Sequence, residues 1–426
     1  MNTDPHALFS VHGVEIEYMI VDVDSLDVAP RCDALFESIA GEPANEIPRG
    51  EISWSNELAA HLLELKTSQP VPRLEGVANA FQRSVEDAGQ LLREHGARLL
   101  PGAMHPWMDP HRELRLWPWG QQDVYRAYDR IFDCRGHGWA NLQSVHLNLP
   151  FATDAEFALL HTVIRHLLPL LPTLAASSPI ADGRDTGWQD YRMEVYRHNA
   201  DRVPSVAGLI VPEPVASIAE YRATILEPMY RAIAPLDPGR VLQEEWLNSR
   251  GAIARFDRDA IELRVLDVQE RPAADLAILS AITAILRALA EERFGHAAAL
   301  RELDTRRLAA LLEQAIDLGD ALRIDDTRWL RSFGLPPRTT WARDVWATLL
   351  DECDDLVAAN GVDLAPVEWI LERGTLASRM LAAVGSRPSM SVMPGEPTPP
   401  LPAERLRAVC RELADCLDSD RPFHGI

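Results

Sequence analysis

The chain has 426 residues, 47% hydrophobic and 25% charged, with a formal net charge of -22. That composition belongs to a globular protein long enough to bury a large core in one or two intimate domains. So acidic a chain is excluded as a non-specific binder of nucleic acid or of an anionic membrane surface.

Met1 to His6 has neither a basic n-region nor an apolar h-region, so no signal peptide is expected. Val11 to Asp22 then alternates as a β-strand, with Glu15 and Glu17 on one face and Val14, Ile16 and Tyr18 on the other. Two neighbouring carboxylates repel unless a cation or protons lie between them, which points to a hard metal ion held by oxygen. A half-exposed strand with a wet acidic face is the alternative. Asp24 to Pro48 predicts a loop with a short helix near Asp33 to Ile39, and Glu51 to Trp54 a short strand. In the segment from Asn56 to Thr67, Leu62, Glu64 and Lys66 share a face opposite Leu63 and Leu65. Buried there, the charges would need partners, so the face is either wet or part of a polar site.

Leu74 to Gly96 has helical spacing, with Gly96 as its stop. Arg98 to Met104 reads as a strand. His105 to Gly138, rich in Trp, Pro, Gly, His and Arg, reads either as a loop over a site or as an irregular packed loop, with a short helix at Tyr125 to Phe132. Asn141 to Pro150 is a further strand whose polar face is Ser144, His146 and Asn148. Asp154 is suited to cap a helix from Ala155 to Leu171. Ile218 to Ile233 predicts a helix. Gly251 to Phe256 and Ala260 to Leu266 predict a hairpin whose second arm sets Glu262 and Arg264 on one face. Helices are expected at 274–293, 304–318, 340–359 and 365–384, then a Pro/Ser/Met-rich linker from Gly385 to Pro402, then a helix at 403–417.

The apolar segments near Leu159 to Pro179 and Leu276 to Leu289 are interrupted by Arg, His or Pro and read as buried helices, not as membrane spans. The five cysteines are scattered without zinc-ligand spacing, which fits a reducing cytoplasm. Lys66 is the only lysine.

Glu15, Glu17, Glu57, Glu64 and Glu262 could line one face of a sheet and hold Mg²⁺, an ion that takes oxygen ligands and shares them with phosphates. Lys66, Arg192 and Arg264 could hold a phosphate or a substrate carboxylate. No Walker loop, dinucleotide fingerprint or kinase signature is present, so any nucleotide would be held through metals on the sheet.

From Gly13 to Leu289 the chain resembles the glutamate–cysteine ligase family, in the branch of carboxylate–amine ligases related in fold to glutamine synthetase. The resemblance lies in Gly-Val-Glu-Ile-Glu at 13–17, Glu57 with Leu-Glu-Leu-Lys-Thr at 63–67, and Val-His-Leu-Asn at 145–148. It continues through Ala-Ser-Ser-Pro at 176–179, Asp-Thr-Gly at 185–187 with Arg192, and Ile-Glu-Leu-Arg-Val-Leu-Asp at 261–267. Many members have His-Val-His where this chain has Ser144-Val145-His146, and nothing after Leu289 matches a family motif.

The resemblance implies an α+β fold: an antiparallel sheet curled into a half-barrel funnel with helices outside. A catalytic part at 1–295 and a helical C-terminal region at 296–426 packed on it are expected. The implied activity is ATP-dependent amide formation through an acyl phosphate, most simply joining glutamate to cysteine in glutathione biosynthesis. ATP is the implied co-substrate, with Mg²⁺ or Mn²⁺. Carried over position by position, Glu15, Glu17, Glu57, Glu64 and Glu262 would be metal ligands. Arg264, His146 and Lys66 would serve catalysis, and Arg192 and Asn148 would bind substrate. The implied partners are a small carboxylate and a small amine, with no nucleic acid and no membrane; a homodimer is left open. The alternatives are a guanidine-kinase-like phosphotransferase on the same kind of sheet, or a non-catalytic binding protein.

Overall fold

A computed structural model describes residues 5–386 and 398–426; most of the anticipated Pro/Ser/Met-rich linker lies outside the described residues. The first strand, β1 (Gly13–Asp22), is the centre of an eight-stranded sheet. With it run β2 (Glu46–Arg49), β3 (Ile52–Asn56), β4 (Leu62–Thr67), β5 (Ala97–Leu100), β6 (Ser144–Pro150), β7 (Ala252–Arg255) and β8 (Ala260–Asp267). The order is β2-β3-β4-β1-β6-β8-β7, every pairing is antiparallel, and the sheet does not close. One edge of β1 meets β4; the other meets β6 over Gly13 to Ile16 and β5 over Met19 to Asp22.

The two-residue period of β1 sorts its side chains. Val14, Ile16, Tyr18 and Ile20 are fully buried in the main core with Leu63, Leu65, Leu147 and Ile261. The helices Val77–Glu94, Asp154–Leu167 and Pro272–Ala290 supply apolar residues to that same core. Pro272–Ala290 is long and apolar enough to cross a membrane, yet 83% of its apolar window is buried inside the protein. It runs against the Val77–Glu94 and Asp154–Leu167 helices and the helices after Ala342. A second apolar cluster joins Met19, Val21 and Leu100 to the last helix, Ala403–Asp418.

Several expected elements differ in their limits. The strand expected at 98–104 ends at Leu100. Thr153, not Asp154, caps the helix that follows, its hydroxyl accepting from Glu156 N at 3.2 Å; Asp154 instead accepts from Ile218 N at 2.6 Å. The helix expected at 365–384 is broken at Gly374, whose φ of +91° suits glycine, and Thr375 caps the second piece. The helix expected at 340–359 likewise divides, into Ala342–Asp351 and Asp354–Asn360. All five cysteines are buried and unpaired.

Candidate functional site

On the other face of the sheet, strand register assembles a polar row. Glu15 stands opposite Lys66 on β4 and His146 on β6, and Glu17 stands opposite Glu64. Ser55 on β3 stands opposite Glu64, and Asn148 on β6 is opposite both Gly13 and Glu262. Gly13 belongs to this arrangement: a Cβ there would lie 3.1 Å from Asn148 Cβ, crowding the side chain that donates to Glu15 Oε1 at 3.2 Å. Glu57 is the first residue past β3, in the turn towards β4.

Two groups of carboxylate and imidazole atoms gather here, each within 4.8 Å of one another: Glu15, Glu64 and His146; and Glu17, Glu57 and Glu64. The crowding is visible in the acidities. Burial, then the charge of Glu17, pushes the Glu57 carboxyl up to about 8. Burial and the charges of Glu15 and Glu57 push Glu64 well above the usual carboxylate range. Burial also opposes ionisation of Glu15, but the hydrogen bond and charge of His146, with Arg258 and Arg255, hold it below that range. His146 Nδ1 lies 3.0 Å from Glu15 Oε2, and its Nε2 3.0 Å from Ser144 Oγ. Ser144 N donates to Glu17 Oε2 at 2.7 Å. A donor set of clustered oxygens with one imidazole suits Mg²⁺ or Mn²⁺, and a divalent cation would relieve the repulsion that now raises Glu57 and Glu64.

Glu262 is on the same face but outside both groups. It is 1% exposed, with Arg255 Nη1 at 2.8 Å from one oxygen and Arg264 Nη2 at 2.9 Å from the other. The register with β6 shifts between Leu263 and Leu266, leaving one extra residue in β8 beside Arg264. Lys66 reaches Glu46 at 3.0 Å and Glu64 at 3.7 Å.

Arg192 is 1% exposed and fixed from behind. Its Nε donates to Asp267 Oδ1, and Asp267 Oδ2 accepts from Ser177 N at 2.8 Å and Ser178 Oγ at 2.7 Å. Asp190 caps the short helix Tyr191–Tyr196 that carries Arg192. Arg192 Nη2 is left without a hydrogen-bond partner. It lines a cavity of about 220 Å³ together with Glu17, Glu57, His146 and Arg264. Two further sequence motifs, 176–179 and 261–267, thus meet behind the guanidinium of Arg192.

The cavity also holds residues that sequence reasoning did not single out. Tyr125 and Tyr128 come from helix Gln122–Phe132, and Trp139 from the turn His137–Ala140. The Trp-rich stretch expected as a loop over a site or as irregular packing therefore supplies one wall. Tyr196, Asn199 and Trp246 complete it, and no spacing in the sequence marks them. Arg258, foreseen only as a turn residue, reaches Glu15 Oε1 at 3.1 Å.

Residues 11–409 match the family model described as Glutamate-cysteine ligase family 2 (GCS2). A protein of Archaeoglobus fulgidus, named only "Uncharacterized protein", is 36% identical over 280 residues, covering 66% of this chain and 75% of its own. A Nocardioides protein named "Putative glutamate--cysteine ligase 2-1" is 26% identical over 370 residues, covering 85% and 87%. Among solved structures, a glutamate–cysteine ligase from Francisella tularensis in complex with AMP aligns with a TM-score of 0.60 at 14% identity, over 98% of this chain and 90% of that one. A bifunctional glutathione synthetase from Pasteurella multocida aligns at 0.53 and 14% identity, over 95% of this chain and 53% of that one. At that identity the two structures establish a shared fold.

Proposed function

This chain belongs to glutamate–cysteine ligase family 2, and from that premise we propose that it is an ATP-dependent carboxylate–amine ligase working through an acyl phosphate. The observation that carries the reading is the meeting of Glu15, Glu17, Glu57, Glu64 and His146 on one face, beside a cavity lined by Arg192 and Arg264. Glutamate and cysteine, giving γ-glutamylcysteine, are the simplest substrate pair. In this reading the open sheet is the wall of a half-barrel funnel. Residues 1–295 carry the catalysis, the helical residues 296–426 pack on them, and the protein works in the cytoplasm.

Glu15, Glu17, Glu57 and Glu64, with His146, would hold Mg²⁺ or Mn²⁺, and Glu262 would serve at the edge of that set. The ion's contribution when bound is neutralisation of triphosphate charge. Arg264, its guanidinium tethered to Glu262, stabilises the equatorial oxygens of the phosphoryl group as it passes to the substrate carboxylate. Lys66 adds positive charge along the same row, His146 orients Glu15 through their 3.0 Å contact, and Asn148 and Arg192 orient the substrate. The amine nitrogen then attacks the acyl carbon. A C–N bond forms, the C–O bond to phosphate breaks, phosphate leaves with the electron pair, and the amine proton passes to solvent.

The test is mass spectrometry of products from a mixed pool of carboxylates, amino acids and amines with Mg-ATP. ADP, inorganic phosphate and an amide support the proposal. Phosphate retained on an acceptor identifies a phosphotransferase, and no ATP-dependent product identifies a binding protein.

A further inference from the structure

The geometry points to an amine acceptor that is an α-amino acid with a flat, aromatic side chain, an assignment that rests on the ligase reading above. Two indoles, Trp139 and Trp246, line the cavity with Tyr128 between them, its ring centroid 5.1 Å from Trp139 and 6.0 Å from Trp246. The three rings are tilted with respect to one another, by 50° and 47° at Tyr128. Trp139 is locked by its indole N–H, which donates to Asn199 O at 3.0 Å. Both indoles are only partly buried by the protein and present apolar surface to the cavity. A thiol or methyl side chain would leave most of that surface wet; a ring would cover it and make offset or edge contacts.

Two polar atoms in the same wall are buried and unpartnered: Arg192 Nη2 and Asn199 Oδ1. Leaving such groups unpaired is costly, and a ligand that pairs with them recovers the loss. The Asn199 amide is oriented by Nδ2, which donates to Gly138 O at 3.2 Å, so its oxygen is the free acceptor. Arg192 takes the carboxylate of the amino acid and Asn199 Oδ1 an N–H of its amine, while the ring packs against the apolar surface that the aromatic wall presents to the cavity. Space is sufficient: a further cavity of about 340 Å³ shares Gly138, Trp139 and Asn199 with the first.

The experiment is a competition. Full-length protein, Mg-ATP and a pool of carboxylates containing glutamate are supplied with equimolar phenylalanine, tyrosine, tryptophan, cysteine, alanine and glycine, and the amides are quantified. Aromatic amides are expected to exceed those of cysteine and alanine by roughly tenfold or more. Trp246→Ala is expected to raise KM for the aromatic acceptors by roughly tenfold, so that the ratio of aromatic to alanine amide falls by about as much. A ligase that prefers cysteine or alanine, or a Trp246→Ala variant that lowers all acceptors equally, overturns the aromatic assignment and leaves the ligase reading standing. Absence of any amide with all six acceptors overturns the aromatic assignment, and absence of amide with the wider pool of amines as well overturns the ligase reading.

Discussion

Glu17 and Glu64 are directly opposed partners on adjacent antiparallel strands, β1 and β4. Like charges in that position destabilise a sheet, and here both are buried. The pair therefore favours a divalent cation or a retained proton. Mg²⁺ is expected to raise the melting temperature of the wild type, by about 2.7 kcal/mol of stabilisation at a hundredfold excess over Kd. Glu64→Gln is expected to be more stable than wild type without metal, by about 1 kcal/mol, and to lose both the Mg²⁺ response and turnover. Calorimetry with and without Mg²⁺ measures this; an undiminished Mg²⁺ shift in the variant argues against the assignment.

Lys66 is part-exposed and its pair with Glu46 is half in solvent. Such pairs contribute at most about 1 kcal/mol. Lys66→Met should therefore fold with nearly wild-type stability yet turn over at least tenfold more slowly, roughly 1.4 kcal/mol of lost transition-state stabilisation. A large stability loss at unchanged rate would make Lys66 structural.

Glu262 neutralises two arginines at once while 1% exposed. Glu262→Gln should cost about 3 kcal/mol, since it strands buried positive charge, and should abolish turnover. Adding Arg255→Gln should restore much of the stability but none of the turnover. Urea titrations beside an ADP-release assay separate the two effects.

Asp267 is 1% exposed and accepts from Arg192 and from both serines at 177 and 178. Asp267→Asn should destabilise by about 3 kcal/mol and raise KM for the substrate held by Arg192 more than it lowers kcat. Steady-state kinetics would show the opposite split if Arg192 acted only as a core brace.

His161 is packed among Phe157 and Tyr221, and burial, then the charge of Arg165, lowers its pKa to about 3 from 6.5. The unfolded chain thus binds a proton that the folded chain does not, between about pH 6.5 and 3. His161 contributes no penalty above that window and an increasing one as pH falls through it. Glu57 and Glu64, whose pKa values are raised, act in the opposite sense, so the informative quantity is a difference. His161→Phe should gain on wild type by up to about 1.4 kcal/mol per pH unit below 6.5, read from urea midpoints at pH 7, 6 and 5.

Strand periodicity made Glu15, Glu17, Glu64, His146 and Asn148 legible as one face, because a two-residue repeat needs only local sequence. Helix limits were less legible. Gly374 and the Thr153 cap depend on backbone conformation that residue type only biases. The aromatic wall was not legible, since Tyr128, Tyr196 and Trp246 come from three separate segments with no shared period.

By itself the sequence determined which residues alternate, which are acidic in an otherwise apolar strand, and the family motifs from Gly13 to Asp267. Only the tertiary structure decided which carboxylates meet. Glu57 joins Glu17 and Glu64, while Glu262 is claimed by Arg255 and Arg264. The reason is physical: periodicity specifies the face a side chain occupies, but register between strands distant in the chain specifies its neighbour. Those neighbours set charge and acidity in a buried site.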